Sequence, residues 1–421
     1  MSDFESLDYF TDQSVIPDPH PYFDHLRQKC PVQFVPPHGA VAVTGFEEAL
    51  AVLRNTAAFS NINAPIGPFG IPFEPHGDDV SALIEEYRDQ FPLSEHLVTM
   101  DPPQHTRVRR LLAGLFTPRR IEQNEEFMWR LADRQIDEFL AGGKCELVRD
   151  YALPFALLTI ADLLGVPEED HKAFRASLSM QTPGAMDEGD AMSLNPLEFL
   201  EEKFSAYIED RRREPRSDVL TLLAESKYPD GETPEVIELV RLATFLFGAG
   251  QDTTAKLITA AFQCIAENPE LQKQLREDRS LIPAFVEELL RLEGPVKSDF
   301  RLTRTSTTLG DVEIPAGTTV AILLGAANRD PRKFEDPHEF RIDRPNAREH
   351  VAFGRGVHSC PGGPLSRVEA RVTIERLLDR MADIRISEAE HGPVDARRYT
   401  YEPTYILRGL TELHLEFTPV P

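Results

Sequence analysis

The sequence predicts a mainly α-helical protein with a smaller β region, that is, an α+β fold forming a single domain over residues 1–421. Three observations support this prediction. Most of the chain has the apolar spacing of helices, short alternating segments lie near its two ends, and no repeat or Gly/Ser-rich linker divides it. A chain of 421 residues is also long enough to bury a large core.

The predicted β elements are short. Near the start, "VQFV" and "GAVAVTG" alternate in polarity and predict a hairpin. At the other end, "TELHLEF" places Leu413, Leu415 and Phe417 on one face and polar residues on the other. This alternation predicts a strand with one buried face.

One predicted helix is unusually long. Thr233 and Pro234 supply an N-cap and a first-turn proline, and no strong break follows until Asn268 and Pro269. At 1.5 Å per residue this helix is roughly 50 Å long. Because "LVRLATFLFGAG" is apolar on most sides, we expect the helix to be buried at the centre of the molecule.

The middle of that helix, "FGAGQDTTA", has an unusual composition for a helix interior. Gly248 and Gly250 each destabilise a helix by about 1 kcal/mol relative to alanine, and Asp252, Thr253 and Thr254 follow them. Threonine can bond back to a carbonyl of the preceding turn, and a local break would admit water or a ligand. Two interpretations stay open: a packing notch, or a groove beside a reaction centre where a carboxylate and a hydroxyl handle protons.

Composition and charge exclude several classes of partner. The formal net charge is −25, so we expect neither nucleic acid nor an anionic membrane to bind the protein. The first residues lack the basic and apolar segments of a signal peptide, and the longest apolar stretch is too short for a membrane span. Four scattered cysteines without a CxxC pair favour a reducing compartment. These features predict a cytoplasmic protein. We also expect the protein to be a monomer.

Two motifs place charged residues on one helix face. Glu288 and Arg291 in "EELLR" are spaced to pair, although such pairs are common on solvated helices. His105 and Arg109 share a face in "HTRVRR", and no acid occurs over residues 103–120. In so acidic a chain, this gap indicates either an anionic partner or a solvated basic helix.

One cysteine stands in the glycine-rich stretch "AFGRGVHSCPGG". The spacing FGxGxxxCxG is carried by Phe353, Gly354, Gly356, Cys360 and Gly362. The glycines permit tight turns and let a flat ligand approach the backbone. A helix predicted just after Cys360 would lower the pKa of its thiol through the helix dipole and nearby amides. A zinc site formed with His350 and His358 is the competing interpretation, but it lacks a second ligand pair.

Together these motifs resemble the cytochrome P-450 family of haem-thiolate monooxygenases in its soluble bacterial form. "HTRVR", "AGQDTT", "EELLR" and "FGRGVHSCPG" occur in the family's order, and the resemblance extends over essentially the whole chain. It implies a triangular prism with a long central helix over the haem. A haem-thiolate isomerase or dehydratase, and a non-catalytic haem sensor or binding protein, stay open as alternatives.

The resemblance implies a set of residues that bind haem b. Cys360 would be the proximal thiolate ligand of the iron, which favours cleavage of the O–O bond. His105 and Arg109 would hold one haem propionate, and Arg301 and His358 the other. The remaining cofactor-binding positions implied are Ala249, Phe353, Gly354 and Gly362. The structural residues beneath the haem would be Glu288, Arg291 and Arg344.

The resemblance also implies how the reaction proceeds. Asp252 and Thr253 would form the catalytic pair that delivers protons while O2 is activated. The product would be a hydroxylated or epoxidised apolar small molecule, such as a terpenoid, fatty acid or steroid. The implied substrate pocket consists of Phe69, Ile71, Phe73, Phe245, Gly248, Val296 and Ile406. Residues 179–196 would form a second entrance flap.

Electrons have to come from outside the chain, because it contains no flavin or iron–sulfur motif. The resemblance implies delivery from NADH or NADPH through a ferredoxin reductase and a small acidic ferredoxin. The arginines expected to form the docking face are Arg107, Arg110, Arg119, Arg120 and Arg355. Opposite charge would speed the association of the two proteins.

Overall fold

Helices make up most of the regular structure in the computed structural model, which describes residues 4–171, Met186 and residues 197–420. The helices are α1 (His20–Lys29), α2 (Phe46–Arg54), α3 (Ser81–Glu86), α4 (Gln104–Arg109), α5 (Pro118–Phe139), α6 (Leu153–Leu164), α7 (Glu198–Arg213), α8 (Val219–Ala224), α9 (Val236–Glu267), α10 (Pro269–Glu277), α11 (Ile282–Glu293), α12 (Leu324–Ala327), α13 (Gly363–Arg380) and α14 (Glu388–His391). The predicted entrance flap at residues 179–196 lies outside the described residues, apart from Met186.

The strands form three sheets in the described part of the chain. They are β1 (Val32–Val35), β2 (Ala40–Val43), β3 (Phe59–Ser60), β4 (Lys144–Glu146), β5 (Asp299–Thr303), β6 (Thr307–Leu309), β7 (Val312–Ile314), β8 (Thr319–Ile322), β9 (Met381–Ile386) and β10 (His414–Pro419). A five-stranded sheet has the order β1-β2-β8-β5-β3, a three-stranded sheet the order β4-β10-β9, and β6 pairs with β7. The predicted mainly α fold with a smaller β region is confirmed.

Both predicted β elements are present. β1 and β2 form the antiparallel hairpin near the start, with Val32 opposite Val43. β10 pairs with β4 on one side and β9 on the other. Leu413, Leu415 and Phe417 are buried as predicted, while the residues between them are partly exposed. Their alternation therefore places one face of this sheet against the core.

The long helix α9 crosses the main hydrophobic core. It packs against α6, α7 and α13, and most of its apolar residues are buried. The predicted N-cap was wrong, because Thr233 and Pro234 precede the helix and Glu235 caps it. The side chain of Glu238 accepts the Glu235 amide at 2.8 Å, which completes a capping box that the Thr-Pro pattern concealed.

The interior of α9 is continuous helix through its glycines, without a local break. The hydroxyl of Thr253 donates to the Ala249 carbonyl at 2.9 Å, as expected for a threonine that bonds back one turn. A Cβ on Gly250 would lie 3.4 Å from Ile160 of α6. Gly250 therefore forms the packing notch, and the polar residues that follow it remain available to a cavity.

No helix in the described ranges combines the length and apolarity needed to cross a bilayer.

Candidate active site

One cavity brings together residues that are far apart in the sequence. Its walls come from α4, α9, α13, the segment 295–301 and the loop that carries Cys360. The predicted site residues that line it are His105, Arg109, Phe245, Ala249, Thr253, Val296, Arg301, Phe353, Gly354, His358, Cys360 and Gly362. The structure therefore gathers the predicted cofactor residues around a single space.

Several predicted substrate residues lie elsewhere. Phe69 packs against His38 and Tyr405, with the His38 ring centroid 4.8 Å away. The other three apolar side chains pack beside the five-stranded sheet and not in the cavity: Ile71, Phe73 and Ile406. Gly248 is buried on another face of α9, and Gly250 lines the cavity instead. These placements correct the predicted pocket, because packing against the sheet fixes the loop side chains away from α9.

The cysteine loop is folded tightly against its surroundings. The Cys360 amide donates to the Phe353 carbonyl at 2.9 Å, and the Arg109 side chain donates to the Ser359 carbonyl at 2.6 Å. Gly356 has φ +76°, and a Cβ there would lie 2.6 Å from the carbonyl oxygen of Leu53 in α2. Only glycine suits this turn and this close approach.

The thiol of Cys360 lies at the start of α13, as predicted. Burial raises its pKa, while hydrogen bonds from the Gly362 and Gly363 amides and the charge of Arg109 lower it. The predicted lowering by the amides at the helix N-terminus is present, but burial outweighs it. The amides and the nearby guanidinium still favour a thiolate, and a coordinating metal deprotonates a thiol outright.

The predicted propionate residues form a cluster of donors. The rings of His105 and His358 are 3.9 Å apart. Both ring nitrogens of His105 and Nε2 of His358 are buried without a partner among the described residues. Burial, with Arg109 nearby, lowers the pKa of His105 to about 4, and burial, with His105, Arg301 and Arg109, lowers that of His358 to about 2. Both rings are therefore neutral and able to donate.

The donor set fits a haem. The guanidinium groups of Arg109 and Arg301 line the same cavity as the two histidines, and Arg301 also bonds Asp299 at 2.8 Å. Two carboxylates in a dry pocket require such charged and neutral donors, because an unpaired buried charge is strongly unfavourable. The cavity thus offers a soft anionic ligand at Cys360 and cationic donors for two acids.

The three predicted structural residues form a buried ionic network. Arg291 donates twice to the Glu288 carboxylate at 2.8 Å, and Arg344 donates to it at 2.9 Å. The side chains of Glu288 and Arg291 are both 0% exposed. Burial acts to raise the pKa of Glu288, but Arg291 and Arg344 outweigh it and hold the carboxyl below its usual range. The network ties α11 to the segment before the cysteine loop.

A second network that sequence reasoning missed lies beside the first. The His350 ring donates through Nε2 to Glu287 at 3.1 Å and accepts the Ala352 amide at 3.2 Å, while Arg367 donates to Glu287 at 2.6 Å. His350 is thus committed to Glu287, and the described residues contain no cluster of three or more metal-ligating side chains. This geometry gives the competing zinc interpretation no support.

A buried acid on α13 was also missed. Glu369 accepts a hydrogen bond from the Thr254 hydroxyl at 3.2 Å, and both residues line the cavity. Burial raises the pKa of Glu369 to about 8, although the bond from Thr254 acts against it. A single acid on the apolar face of "LSRVEARV" was the signal in the sequence that could have identified it.

The two members of the predicted proton-delivery pair face different surroundings. Thr253 lines the cavity, whereas Asp252 is half-buried beside it and pairs with Lys256 one turn further along α9. Burial raises the pKa of Asp252, and the charge of Lys256 opposes this shift.

The predicted docking arginines differ in their surroundings. Arg110 and Arg119 are exposed. Arg107 is not a free charge, because it pairs with Asp230 and Glu232 and its guanidinium lies 3.6 Å from the Tyr228 ring centroid.

The other two docking arginines bond to backbone carbonyls. Arg120 donates to the Ser217 carbonyl at 3.4 Å, and Arg355 donates to the His350 carbonyl at 2.6 Å. The exposed charge of the predicted face is therefore concentrated at Arg110 and Arg119.

Comparison with known proteins identifies the family. The family model described as cytochrome P-450 matches residues 192–382. The substrate-free structure of Mycobacterium marinum cytochrome P-450 CYP150A6 is 63% identical, with a TM-score of 0.94 over 100% of both chains. The cytochrome P-450 monooxygenase PikC of Streptomyces venezuelae is 32% identical over 96% of this chain and 92% of its own. Cytochrome P-450 107B1 of Saccharopolyspora erythraea is 36% identical over 76% of this chain and 77% of its own.

The fold and the cavity thus define a haem-thiolate monooxygenase. The chain belongs to the cytochrome P-450 family.

Proposed function

We propose that Cys360 is the thiolate ligand of haem and that the enzyme inserts one atom of O2 into an apolar small molecule. The observation that carries this proposal is the position of Cys360 in a cavity beside the amides of Gly362 and Gly363. Bound haem supplies the oxygen-activating chemistry, while the protein supplies the ligand, the orientation and the protons.

Four side chains orient the cofactor. Arg109 and His105 hold one propionate, and Arg301 and His358 hold the other. The unpartnered ring nitrogens of the two histidines support this role, as does the placement of all four side chains on one cavity. Phe353, Gly354 and Gly362 line the cavity from the cysteine loop, and Ala249 lines it from α9, so these residues would contact the bound cofactor.

Thr253 and Asp252 handle the protons. The Thr253 hydroxyl donates its hydrogen to Ala249, so its oxygen lone pairs remain able to accept a hydrogen bond from a water in the cavity. Thr253 therefore holds a water in place, and Asp252 on the same turn of α9 passes protons towards it. This division of roles is the one that a positioned hydroxyl and a carboxylate perform in general acid–base catalysis.

The substrate is an apolar molecule of the terpenoid, fatty acid or steroid class. Apart from Asn61 and the two threonines, the α9 side of the cavity is apolar; it includes Leu97, Val98, Leu242, Phe245, Leu246 and Val296. A substrate binds such a surface mainly through the apolar area that it buries. Few polar groups of the protein are available to fix the orientation of the substrate.

Electrons come from NADH or NADPH through a ferredoxin reductase and an acidic ferredoxin. The exposed arginines Arg110 and Arg119 offer cationic side chains to such a partner, and Val357 of the cysteine loop is 44% exposed. Opposite charge speeds such an encounter and makes it sensitive to salt. A ferredoxin-dependent reduction rate that is independent of salt would contradict this docking surface.

The test of the proposed function is spectroscopic and chemical. The reduced protein with carbon monoxide is expected to show the strongly red-shifted absorption of a thiolate-bound haem, and Cys360→Ala is expected to lose it. Reconstitution with ferredoxin, its reductase and NADPH should give an oxygenated product that requires O2. Product formed without O2 would instead indicate an isomerase or dehydratase, and haem binding without any turnover would indicate a sensor or binding protein.

A further inference from the structure

Lys256 is a buried cation between two carboxylates. It lies one turn after Asp252 on α9, and its side chain is 7% exposed. The Nζ atom bonds Asp252 on one side and lies 2.6 Å from Oε2 of Glu402 on the other. The two carboxylates are more exposed than the ammonium group between them, at 36% for Asp252 and 26% for Glu402.

Glu402 belongs to a C-terminal hairpin, residues 401–410, that packs against α9. Tyr401 and Leu410 form an antiparallel bridge in this hairpin, and the Glu402 amide donates to the Gly409 carbonyl at 3.0 Å. The hairpin therefore holds the backbone of Glu402 in a fixed position relative to Lys256.

Gly409 provides the space through which Lys256 reaches Glu402. A Cβ at this position would lie 2.3 Å from Cγ, 2.7 Å from Cδ and 2.9 Å from Cε of Lys256. These distances are shorter than any normal carbon contact, so a side chain here would displace the lysine stem. Lys256 therefore passes beside Gly409 to reach Glu402, and the same ammonium group also bonds Asp252.

We propose that Lys256 and Glu402 are positioning residues that connect Asp252 to the C-terminal hairpin as a path for proton uptake. This inference rests on the proposed role of Asp252 in proton delivery. When Asp252 gives its proton to the water at Thr253, the Lys256 ammonium returns one proton to the carboxylate. The neutral amine is then reprotonated from bulk water through Glu402, so the three groups regain their starting charges.

The charges that face Asp252 support this path. Lys256 of its own helix lowers the pKa of Asp252, whereas burial and the charge of Glu402 in the hairpin raise it. The two residues that we assign to the path therefore act on the pKa of Asp252 in opposite directions. If Lys256 served only as a structural partner of Asp252, the second carboxylate, that of Glu402, would not be needed.

The first measurement is an infrared titration of the Asp252 carboxyl band in the purified holoenzyme, identified by its loss in Asp252→Asn. Lys256→Met keeps the apolar stem against Gly409 and removes the charge, so the pKa of Asp252 should rise. Gly409→Ala displaces the same lysine without removing any charged group and should shift the pKa in the same direction. Glu402→Gln removes an anion and should lower it.

The second measurement is the share of NADPH electrons recovered in product rather than in hydrogen peroxide. In Lys256→Met and Gly409→Ala this share should fall by about tenfold, less than the about 10²–10⁴-fold of a direct proton-transfer group, because Lys256 acts through Asp252. The dissociation constant for substrate, from the haem spin-state shift, should not change. Lys273→Met, at an exposed lysine of α10, is the matched control and should behave as the parent enzyme.

The outcomes separate this inference from the proposed function. Loss of the carbon monoxide band in the parent protein is a failure of the proposed function. An intact band with an unchanged Asp252 titration in Lys256→Met and Gly409→Ala overturns the path alone. A shifted titration with unchanged recovery of electrons in product overturns it as well, because the lysine would then be a structural contact only.

Discussion

Two carboxylates, Glu288 on α11 and Asp252 on α9, have contrasting surroundings. On α11, Glu288 accepts hydrogen bonds from Arg291, from Arg344 and from the Arg341 amide, and it is fully buried. On α9, Asp252 pairs with Lys256 and is 36% exposed. An acid surrounded by fixed donors stays ionised and immobile, whereas an acid with one cation and some solvent can gain and lose a proton. The first arrangement suits a scaffold, and the second suits proton transfer.

The largest effect is expected from breaking the scaffold. Glu288→Gln leaves the buried guanidinium groups of Arg291 and Arg344 without their anion. Removing one partner of a buried ion pair costs about 3–5 kcal/mol, so the free energy of unfolding in urea should fall by this amount. Arg385→Gln, in a pair of which the arginine is 59% exposed, is the control and should change it by about 0–1 kcal/mol. Equal effects of the two variants would contradict the role of Glu288 as a buried anchor of the scaffold.

A pH-dependent effect of at most similar size is expected at Glu369, which joins α13 to Thr254 of α9. Its pKa is raised to about 8 in the folded protein from an ordinary value of 4.5. The stability that it contributes is therefore complete below pH 4.5 and is lost as the pH rises through 8. Urea unfolding of the parent protein and of Glu369→Gln across this range should show a loss of a few kcal/mol in the parent alone, at about 1.4 kcal/mol per pKa unit. Parallel stability curves would show that the carboxyl ionises without penalty.

The smallest effect is expected on substrate affinity, and it tests where the apolar surface of the cavity lies. Phe245 lines the cavity, whereas Phe73 packs between Tyr87 and Phe91. In a spin-state titration with an apolar guest, Phe245→Leu should change the dissociation constant about tenfold, the effect of a small change in pocket volume. Phe73→Leu should leave it unchanged. A larger effect at Phe73 would support the substrate pocket as the sequence predicted it.

The parts of the site that the sequence predicts correctly are those determined by short spacings. The Glu288–Arg291 pair needs one helical turn, and the glycines around Cys360 belong to one loop. The contacts that the sequence did not reveal join residues far apart in the chain. Thr254 and Glu369, for example, are separated by 115 positions. Such contacts depend on how the helices and the hairpin pack together, and the pattern of one segment does not specify that packing.

The same reason explains the misplaced substrate residues. The loop that carries Phe69 and Phe73 is apolar enough to line a pocket, but its side chains pack in hydrophobic clusters with Phe300 and Leu302 of the sheet. The predicted N-cap failed for a more local reason, since both the Thr-Pro pair and the capping box at Glu235 are valid helix starts.

The close contact at Gly356 has a consequence that reaches outside the cavity. Helix α2 contributes no residue to the cavity lining, yet its Leu53 carbonyl limits how far the turn at Gly356 can move outward. The position of the Cys360 sulfur is thus constrained from the side of α2 as well as from within the cavity. Substitutions along α2 can therefore alter the environment of the ligand atom while every residue that touches the cofactor stays the same.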